Sequence, residues 1–390
     1  MKIYNNLMKI KEFLSLFAFM PIIFTTSCTY FFKEKEKSEQ IPNAPISSKP
    51  TSKPLVINKD NSAIKIAHWN VKNQNGKNNF KNIALTNIIN AENFDIVGLT
   101  EIDDLLGVVS LIDILNKANF EYKWEYKISN KDYTAIKKGT QLEMNSKQRE
   151  HVGIIYKSSK VKLIADTLYE NIPWSNLLDL NNPSADKYSY IRPPYGAKFL
   201  DLNTNQDFTC VFAHFDSPGI AKENEDGAKK FNSDFGDMGA QEANEALKIN
   251  GVMKFYDAWD GDNNELIFMG DTNIKLGKQN LVFKNIIDDK YTFYSEDNEQ
   301  WKTSLKTSVF GEYSQPYDKI IYKGDAKITN PGLIKIYDSL KNKYIDQKWI
   351  DEVIASKNPP PKNPVIYPYT FISDHCPIYL TINLDKNDKN

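Results

Sequence analysis

Two histidines stand at predicted strand ends, a placement that suits proton transfer. The chain of 390 residues contains four histidines. His214 closes the apolar run Cys210–Ala213, and His375, preceded by Asp374, comes just before the alternating apolar run 378–382. Alternation with a period of two is typical of a β-strand, and a rigid sheet can aim the side chains at its ends. Because one imidazole can act as an acid while the other acts as a base, the pair indicates phosphodiester chemistry.

Further polar side chains follow apolar strands along the chain. They are Asn70, Glu101, Asp271 with Asn273, and Asp318. A single Asp or Asn after a strand is usually a turn or a helix cap, but this many strand ends together predict a shared site at one edge. Glu101 offers the hard oxygen ligand that Mg²⁺ prefers, and Asp318 can orient an imidazole ring. No spacing of His and Cys indicates a zinc site.

The charge balance limits how a polyanionic substrate could be held. The chain has 49 Lys and Arg against 50 Asp and Glu, a formal net charge of −1 at pH 7. A chain without a basic excess has no general positive field that attracts nucleic acid. Any such substrate must therefore be held by local basic groups and metal.

The first 62 residues are not typical of a packed domain. Lysines precede the apolar run Phe13–Phe24, and small residues then lead to Cys28, as in the signal of a bacterial lipoprotein. We predict a signal peptide over residues 1–27, a lipidated Cys28, and a tether over residues 28–62 that is rich in Lys, Glu, Pro and Ser. The alternative is an uncleaved anchor with an incidental cysteine. The predicted catalytic domain spans residues 63–384, and residues 385–390 form a polar tail.

The order of the predicted elements favours an α+β fold. Strands are expected over 63–71, 95–99, 151–156, 161–165, 265–269 and 317–322, with a strand pair around the turn 203–205 and helices over 80–91, 104–120 and 241–258. Helices scattered among many strands indicate two sheets packed face to face with helices outside. Cys210 and Cys376 both lie on predicted strands, where buried thiols are the favoured interpretation and a disulfide is the alternative.

Eight short motifs follow one another between residues 64 and 382. They are Trp69-Asn70-Val71-Lys72, Asp95–Glu101, Arg149-Glu150-His151, Arg192–Phe199, Ala213–Pro218, Met269–Asn273, Tyr317–Ile321 and Ser373-Asp374-His375. In type and order they resemble the endonuclease/exonuclease/phosphatase superfamily and, within it, deoxyribonuclease I. The resemblance implies a four-layer sandwich in which helices flank two mainly antiparallel sheets. It also implies a divalent-metal-dependent nuclease.

The resemblance implies a role for each matching residue. His214 and His375 would be the acid/base pair, oriented by Glu150 and Asp318 respectively. Asp271 and Asn273 would position the water and the scissile phosphate. The metal would be held by Glu101 and Asn70 with support from Asp374, and phosphates would be contacted by Lys72 and Arg192. His68 and His151 match no family role and are interpreted as structural.

Together these features predict a lipid-anchored nuclease on the extracellular face of the cell membrane. Like the surface nucleases of wall-less bacteria, it would degrade nucleic acid to scavenge nucleotides, with DNA as the expected substrate and RNA as the alternative. Mg²⁺ is the expected cofactor, with Ca²⁺ or Mn²⁺ as alternatives, and no protein partner is indicated. Asp103 stands where relatives that cut duplex DNA carry a basic residue, which disfavours a duplex.

Two other functions are kept open. The first is a sphingomyelinase or phosphatase of the same superfamily, against which Arg192 and the motif Tyr317-Asp318-Lys319 speak. The second is a catalytically inactive surface-binding lipoprotein, which the full set of matching site residues disfavours.

Overall fold

The computed structural model describes residues 63–118, 122–131, 135–137, 140–142, 150–169, 190–218, 238–261 and 265–385. The predicted signal peptide, Cys28, the tether and all but the first residue of the polar tail lie outside these ranges. Within them, no helix is both long enough and apolar enough to cross a membrane.

Two six-stranded sheets form the centre of the described part of the chain. The first sheet has the order β13-β14-β1-β2-β6-β3 and the second the order β11-β12-β10-β9-β8-β7. The first contains β1 (Ala63–Gln74), β2 (Ile96–Ile102), β3 (Trp124–Ile128), β6 (His151–Lys157), β13 (Lys327–Leu333) and β14 (Ile378–Asn383). The second contains β7 (Val161–Leu168), β8 (Tyr195–Asp201), β9 (Asp207–His214), β10 (Leu266–Asp271), β11 (Thr292–Phe293) and β12 (Asp318–Lys323). A separate hairpin pairs β4 (Ala135–Lys137) with β5 (Thr140–Leu142).

Helices cover the outer face of each sheet. They are α1 (Asn79–Ala91), α2 (Leu105–Ala118), α3 (Ala240–Leu247), α4 (Ile249–Asp260), α5 (Gln279–Val282), α6 (Lys284–Asp288), α7 (Gln347–Ala355) and α8 (Tyr367–Ile372). Apolar residues of α1, α2, α7 and α8 pack with the outward side chains of the first sheet. Those of α3 to α6 pack with the second sheet, and a third apolar cluster fills the space between the sheets. The predicted four-layer α+β sandwich is therefore confirmed.

Alternation along the strands turns several polar residues toward the space between the sheets. On β9, Cys210 and Phe212 belong to the inter-sheet core, and His214 follows two residues later on the same face. On β1, Ile64 and Ile66 precede His68 and Asn70 in the same way. Each strand thus ends its apolar inner face with a polar side chain.

Each sheet contains one parallel pair of neighbouring strands, β1 beside β2 and β9 beside β10, while its other neighbours are antiparallel. The carboxyl ends of these parallel pairs carry polar site residues. In the second sheet, Asp271 lies opposite His214 across β9 and β10, and opposite Asp318 across β10 and β12. Residues in register share a face, so strand pairing brings three distant residues of the chain side by side.

The sheets approach closely where the two parallel pairs face each other. A Cβ atom at Gly98 of β2 would lie 2.1 Å from Cδ1 of Phe212 on β9, far inside van der Waals contact. Because both strands are buried there, any side chain at position 98 would push the sheets apart. The missing side chain keeps the two polar strand ends within reach of each other.

Two local features differ from the expectations, and the choice between thiols and a disulfide is decided. The single helix predicted over 241–258 is two helices, because Lys248, with φ −98° and ψ 0°, interrupts the helical geometry. Strand β1 continues to Gln74, past a register shift after Asn70. Cys210 and Cys376 are free buried thiols in separate apolar clusters, so the disulfide alternative is wrong.

Candidate active site

Two histidines face one carboxylate oxygen at the edge of the sandwich. The Nε2 atom of His214 lies 3.6 Å from Asp271 Oδ2, and the Nε2 atom of His375 lies 3.5 Å from the same oxygen. His214 ends β9, whereas His375 lies three residues before β14 in the other sheet. The two predicted acid/base residues are therefore neighbours in space.

Each histidine is held from behind by a carboxylate of the opposite sheet. Glu150 Oε1, just before β6, lies 2.6 Å from His214 Nδ1, and Asp318 Oδ2 of β12 lies 2.8 Å from His375 Nδ1. An ionised carboxylate can only accept, so each Nδ1 carries the hydrogen. Both Nε2 atoms therefore point into the shared space, the orientation that proton transfer there requires.

The charges of the site keep both rings prone to protonation. Burial and Arg192 act to lower the pKa of His214, but Glu150 and Asp271 outweigh them, so the pKa lies above its ordinary value. Burial also opposes the charge of His375, yet Asp271 and Asp318 raise its pKa to about 10. The two carboxylates respond in the opposite sense: despite burial, their histidine partners lower the pKa of Glu150 and of Asp318.

The backbone of His375 is tied to the end of β1. The indole Nε1 of Trp69 donates to the carbonyl oxygen of His375 at 2.7 Å. The Ser373 hydroxyl donates to the carbonyl oxygen of Asn70 at 2.6 Å and accepts from the backbone N–H of His375 at 3.1 Å. These bonds explain how the motif Ser373-Asp374-His375 positions its histidine.

Asn70 connects the carboxylates of the two sheets. Its Nδ2 donates to Glu101 Oε1 at 2.9 Å and to Asp271 Oδ2 at 3.0 Å. Glu101 has a φ of 58°, in the left-handed region that residues with a Cβ seldom adopt. The backbone N–H of Asn73 donates to Glu101 Oε2 at 3.0 Å and helps to hold this conformation. Such backbone strain is found mostly at functional sites.

Asn273 also adopts a left-handed conformation, with a φ of 55°. Its N–H donates to Asp271 Oδ1 at 3.1 Å, and its side-chain Nδ2 donates to the carbonyl oxygen of Phe215 at 3.2 Å. Asn273 therefore lies directly beside Asp271 and contacts Phe215, the residue that follows His214. Asparagine tolerates this conformation better than most residues, which suits it to the position.

Basic side chains border the site on the β1 side. The Nζ of Lys72 lies 3.2 Å from Asp374 Oδ2, and both side chains are about one-third exposed. Lys81 of α1, which sequence reasoning missed, is buried and donates from Nζ to the carbonyl oxygen of Lys72. Burial lowers the pKa of Lys81 to about 8, although Glu101 acts in the opposite direction. A lysine on an amphipathic helix would ordinarily be assigned to the surface, so the sequence carried no signal for it.

Arg192 is buried behind His214. Its Nε donates to the His214 carbonyl oxygen at 3.2 Å and its Nη2 to the Phe215 carbonyl oxygen at 2.8 Å. Nε also lies 3.5 Å from Glu150 Oε1. These contacts brace the chain around the first histidine, while the phosphate contact expected of Arg192 stays a prediction.

A second histidine, His68, lies next to Asp318. Its Nδ1 lies 3.5 Å from Asp318 Oδ1, and its Nε2 lies 3.3 Å from the Thr100 hydroxyl. Nδ1 faces the carboxylate without a hydrogen bond to it, and a hydrogen on Nδ1 would leave Nε2 to accept from Thr100. Sequence reasoning interpreted His68 as structural, although its position two residues before Asn70 on one strand face was a signal. His151, also interpreted as structural, has its Nδ1 at 2.5 Å from the Ser129 carbonyl oxygen.

The donor set of the site fits a hard divalent cation. Glu101 and Asp271 bring carboxylate oxygens to the same Asn70 amide, and Asp374, next to His375 in the chain, lies 3.2 Å from Lys72 Nζ. Asp271, Asp318 and His375 also form a buried group that could hold a metal ion, with ligand atoms within 4.8 Å of one another. Since Asp318 and His375 already bond to each other, the oxygen-rich side around Glu101 suits Mg²⁺ better.

Part of the chain is similar in sequence to a protein of Mycoplasma pneumoniae. No protein-family model matches the chain. An uncharacterized protein of Mycoplasma pneumoniae is 34% identical over 206 residues, which cover 49% of this chain and 37% of that relative. The chain thus spans little more than a third of the relative's length.

Solved structures are similar in fold. The endonuclease/exonuclease/phosphatase protein of Bacteroides vulgatus has a TM-score of 0.49 and 14% identity over 83% of this chain and 99% of its own. The structural neighbours are members of the endonuclease/exonuclease/phosphatase superfamily. Within that superfamily, mannosyl-6-phosphatase of Bacteroides thetaiotaomicron has a TM-score of 0.47 and 14% identity over 82% of this chain and 100% of its own. D. rerio TDP2, complexed with a single-strand DNA product, has a TM-score of 0.45 and 15% identity over 83% and 100%.

Proposed function

We propose that this protein is a divalent-metal-dependent nuclease that hydrolyses phosphodiester bonds of nucleic acid, DNA in the first place. The observation that carries the proposal is the pair of histidines whose Nε2 atoms face Asp271 Oδ2 at 3.6 and 3.5 Å. In-line displacement at phosphorus needs one group to take a proton from water and another to protonate the leaving oxygen. Two oriented imidazoles around one reaction space supply both groups.

The remaining site residues would orient the histidines and the substrate and hold the cation. Glu150 and Asp318 hold the Nδ1 hydrogens, so Nε2 is the atom of each ring that takes or gives the proton. Asp271 and Asn273 would orient the attacking water and the scissile phosphate. Glu101, with Asn70 and Asp374, would hold the cation, which when bound neutralises the charge that develops on the phosphate.

The cellular setting is the second part of the proposal. A lipid on Cys28 would anchor the enzyme at the extracellular face of the membrane, where it would release nucleotides for uptake. Several acyl chains hold a protein to a bilayer stably. Detergent partitioning of the full-length protein tests this part, and Cys28→Ala should move it to the aqueous phase. Equal partitioning of parent and variant contradicts lipidation.

A substrate panel tests the activity. The purified full-length chain is offered plasmid DNA, RNA, sphingomyelin and a sugar phosphate, with Mg²⁺ and with excess chelator. We expect cleavage of nucleic acid with Mg²⁺, loss of cleavage in chelator and recovery when Mg²⁺ is restored. Full activity in excess chelator contradicts the metal role, and hydrolysis confined to the other substrates contradicts the nuclease proposal.

A sphingomyelinase is the second candidate, because two apolar side chains lie exposed near Glu101. Leu105 and Leu106, at the start of α2, are 49% and 46% exposed. Exposed leucines beside a hydrolytic site could contact lipid. This candidate would be favoured if the parent hydrolyses sphingomyelin and Leu106→Ser lowers that hydrolysis. Cleavage of nucleic acid by the same variant should then be unchanged.

A further inference from the structure

A surface cavity lined by none of the catalytic residues offers charge and aromatic surface. Its volume is about 450 Å³, and it lies between the loop before α1 and the segment that joins α7 to α8. Lys77, Phe80, Lys357 and Phe371 line it, together with asparagines of the loop. We call it the basic-aromatic cavity.

Both walls of the cavity continue from the active site. Asn75 comes three residues after Lys72, and Phe371 comes three residues before Asp374. An extended chain advances about 3.3–3.6 Å per residue, so the Cα atom of each of these wall residues lies within roughly 11 Å of the Cα atom of Lys72 or of Asp374. A nucleic-acid strand rises about 3.4 Å per stacked nucleotide. A substrate strand that leaves the catalytic histidines on this side would reach the cavity within a few nucleotides.

The lysines of the cavity carry positive charge at the surface. Lys77 and Lys357 are exposed, and neither forms an ion pair within the described residues. Lys72, by contrast, is paired with Asp374, and Lys81 bonds to a backbone carbonyl. In the part of the chain that the structure describes, the two cavity lysines therefore provide positive charge that no ion pair neutralises.

The aromatic rings of the cavity are held in place by packing. Phe371 contacts the rings of Trp349 and Tyr367, with centroids at 6.5 and 5.5 Å, and Trp349 Nε1 donates to the carbonyl oxygen of Phe80 at 3.0 Å. The Nζ of Lys357 lies 5.3 Å from the Phe371 ring centroid. A base that stacks there would meet a fixed ring and an ammonium group together, as in platforms for single strands.

We propose that the basic-aromatic cavity binds a nucleotide of single-stranded nucleic acid that flanks the scissile phosphate. Lys77 and Lys357 contact the backbone phosphates, and Phe371 stacks on an unpaired base. The assignment rests on the proposed nuclease function. A base within a duplex cannot reach this ring without leaving its stack.

Binding without cutting tests the cavity directly. Fluorescence anisotropy follows a labelled single-stranded oligonucleotide on the full-length chain in excess chelator, over a range of salt concentrations. The double variant Lys77→Ala/Lys357→Ala should bind about tenfold more weakly at low salt, and its salt slope should fall by about 0.7 per lost phosphate contact. Phe371→Leu should weaken binding at least about fivefold with little change in slope.

A charge-matched variant controls for net charge. Lys162→Ala/Lys284→Ala removes two exposed lysines from the edge strand β7 and from α6 of the second sheet. Thermal melting confirms that every variant is folded. If the cavity variant and this control have the same affinity and salt slope, the cavity assignment is wrong. A duplex of the same sequence is titrated in parallel. If the cavity variant weakens binding to the duplex only, the single-strand assignment is wrong.

Cleavage of the same oligonucleotide with Mg²⁺ separates the two proposals. If the cavity variants bind weakly as expected but the parent does not cut, the cavity holds as a single-strand binding site and the nuclease proposal fails. If the parent cuts and the cavity variants bind and cut as it does, the nuclease proposal holds and the cavity assignment fails. A parent that binds no oligonucleotide overturns the cavity assignment.

Discussion

The two histidine–carboxylate pairs of the site share one geometry but lie in different surroundings. His214 with Glu150 lies beside the buried guanidinium of Arg192, whose Nε is 3.5 Å from the same carboxylate oxygen. His375 with Asp318 lies beside a second imidazole, that of His68, and Asp318 is fully buried. Each pair joins the two sheets, so neither exists unless the sandwich is assembled.

The difference shows how one chemical device can be tuned by its neighbours. A cation beside Glu150 competes with His214 for the carboxylate and acts to lower the pKa of that imidazole. Around His375 the charges that act on the ring are carboxylates, and they raise its pKa to about 10. The second pair should therefore depend more strongly on its carboxylate than the first, and the following predictions test that contrast.

Removal of either histidine should have the largest effect. His214→Ala and His375→Ala should each slow cleavage by about 10²–10⁴-fold, because each removes a proton-transfer group. The double variant should lose much less than the product of the two, since the groups act on one transition state. Single-turnover cleavage by variants shown to be folded measures both effects. A near-parental rate for either single variant means that its histidine is not catalytic.

Loss of the orienting carboxylates should separate the pairs. Asp318→Asn should slow cleavage about 10²-fold or more, because an amide can present its N–H to Nδ1 and turn the ring or its tautomer. Glu150→Gln should cost about tenfold, since its carboxylate is less buried and shared with Arg192. Rates measured side by side on the same oligonucleotide decide the order. A larger loss in Glu150→Gln would reverse the contrast.

His68 should contribute less, and through Asp318. His68→Phe keeps a ring but removes the Nδ1 atom that faces Asp318 Oδ1 at 3.5 Å, and we expect kcat to fall about tenfold with little change in KM. His68→Asn places an amide donor near the position of Nδ1 and should recover most of that loss. Steady-state kinetics of the two variants provide the test. Equal losses in both would reduce His68 to a packing role.

Salt dependence should distinguish Lys72 from Arg192. Lys72→Ala should lower the salt slope of single-strand binding by about 0.7, because Lys72 would leave Asp374 to contact a phosphate. Arg192→Ala should leave the slope near that of the parent and lower the melting temperature, because its described donors hold the chain around His214. Anisotropy titrations with parallel melting curves measure both quantities. A reduced slope in Arg192→Ala would instead support the phosphate contact expected from the sequence.

The pH dependence of stability should report the second pair. The pKa of His375 in the folded protein, about 10, lies above its ordinary value of 6.5. The stabilisation from its charge is therefore complete below about pH 6.5 and is lost as the pH rises toward 10. Asp318→Asn should reduce this fall in the free energy of unfolding, measured by denaturant titration in chelator. An identical pH profile for parent and variant contradicts the assigned coupling.

Much of the architecture was predictable because strand alternation and residue chemistry are local properties. The apolar positions of β1, β9 and β14 place His68, Asn70 and His214 on the inner face, and the same period is visible in the printed sequence. The predicted four-layer sandwich is confirmed, and the structure brings most of the expected site residues to one edge of it.

Other features depended on contacts between distant segments. The left-handed backbone of Glu101 is held by Asn70 and Asn73, and the contact between His68 and Asp318 spans the two sheets. The predicted helix over 241–258 is interrupted at Lys248, where the pattern of apolar residues alone continues.

The sequence by itself determined which residues could do the chemistry and which strand faces they occupy, because side-chain type and a period of two need no partner. Tertiary structure alone decided that Asp271 lies in register with His214 and Asp318, and that each histidine receives its carboxylate from the opposite sheet. Strand pairing and sheet packing join segments far apart in the chain, and burial then sets the charges of the groups they enclose.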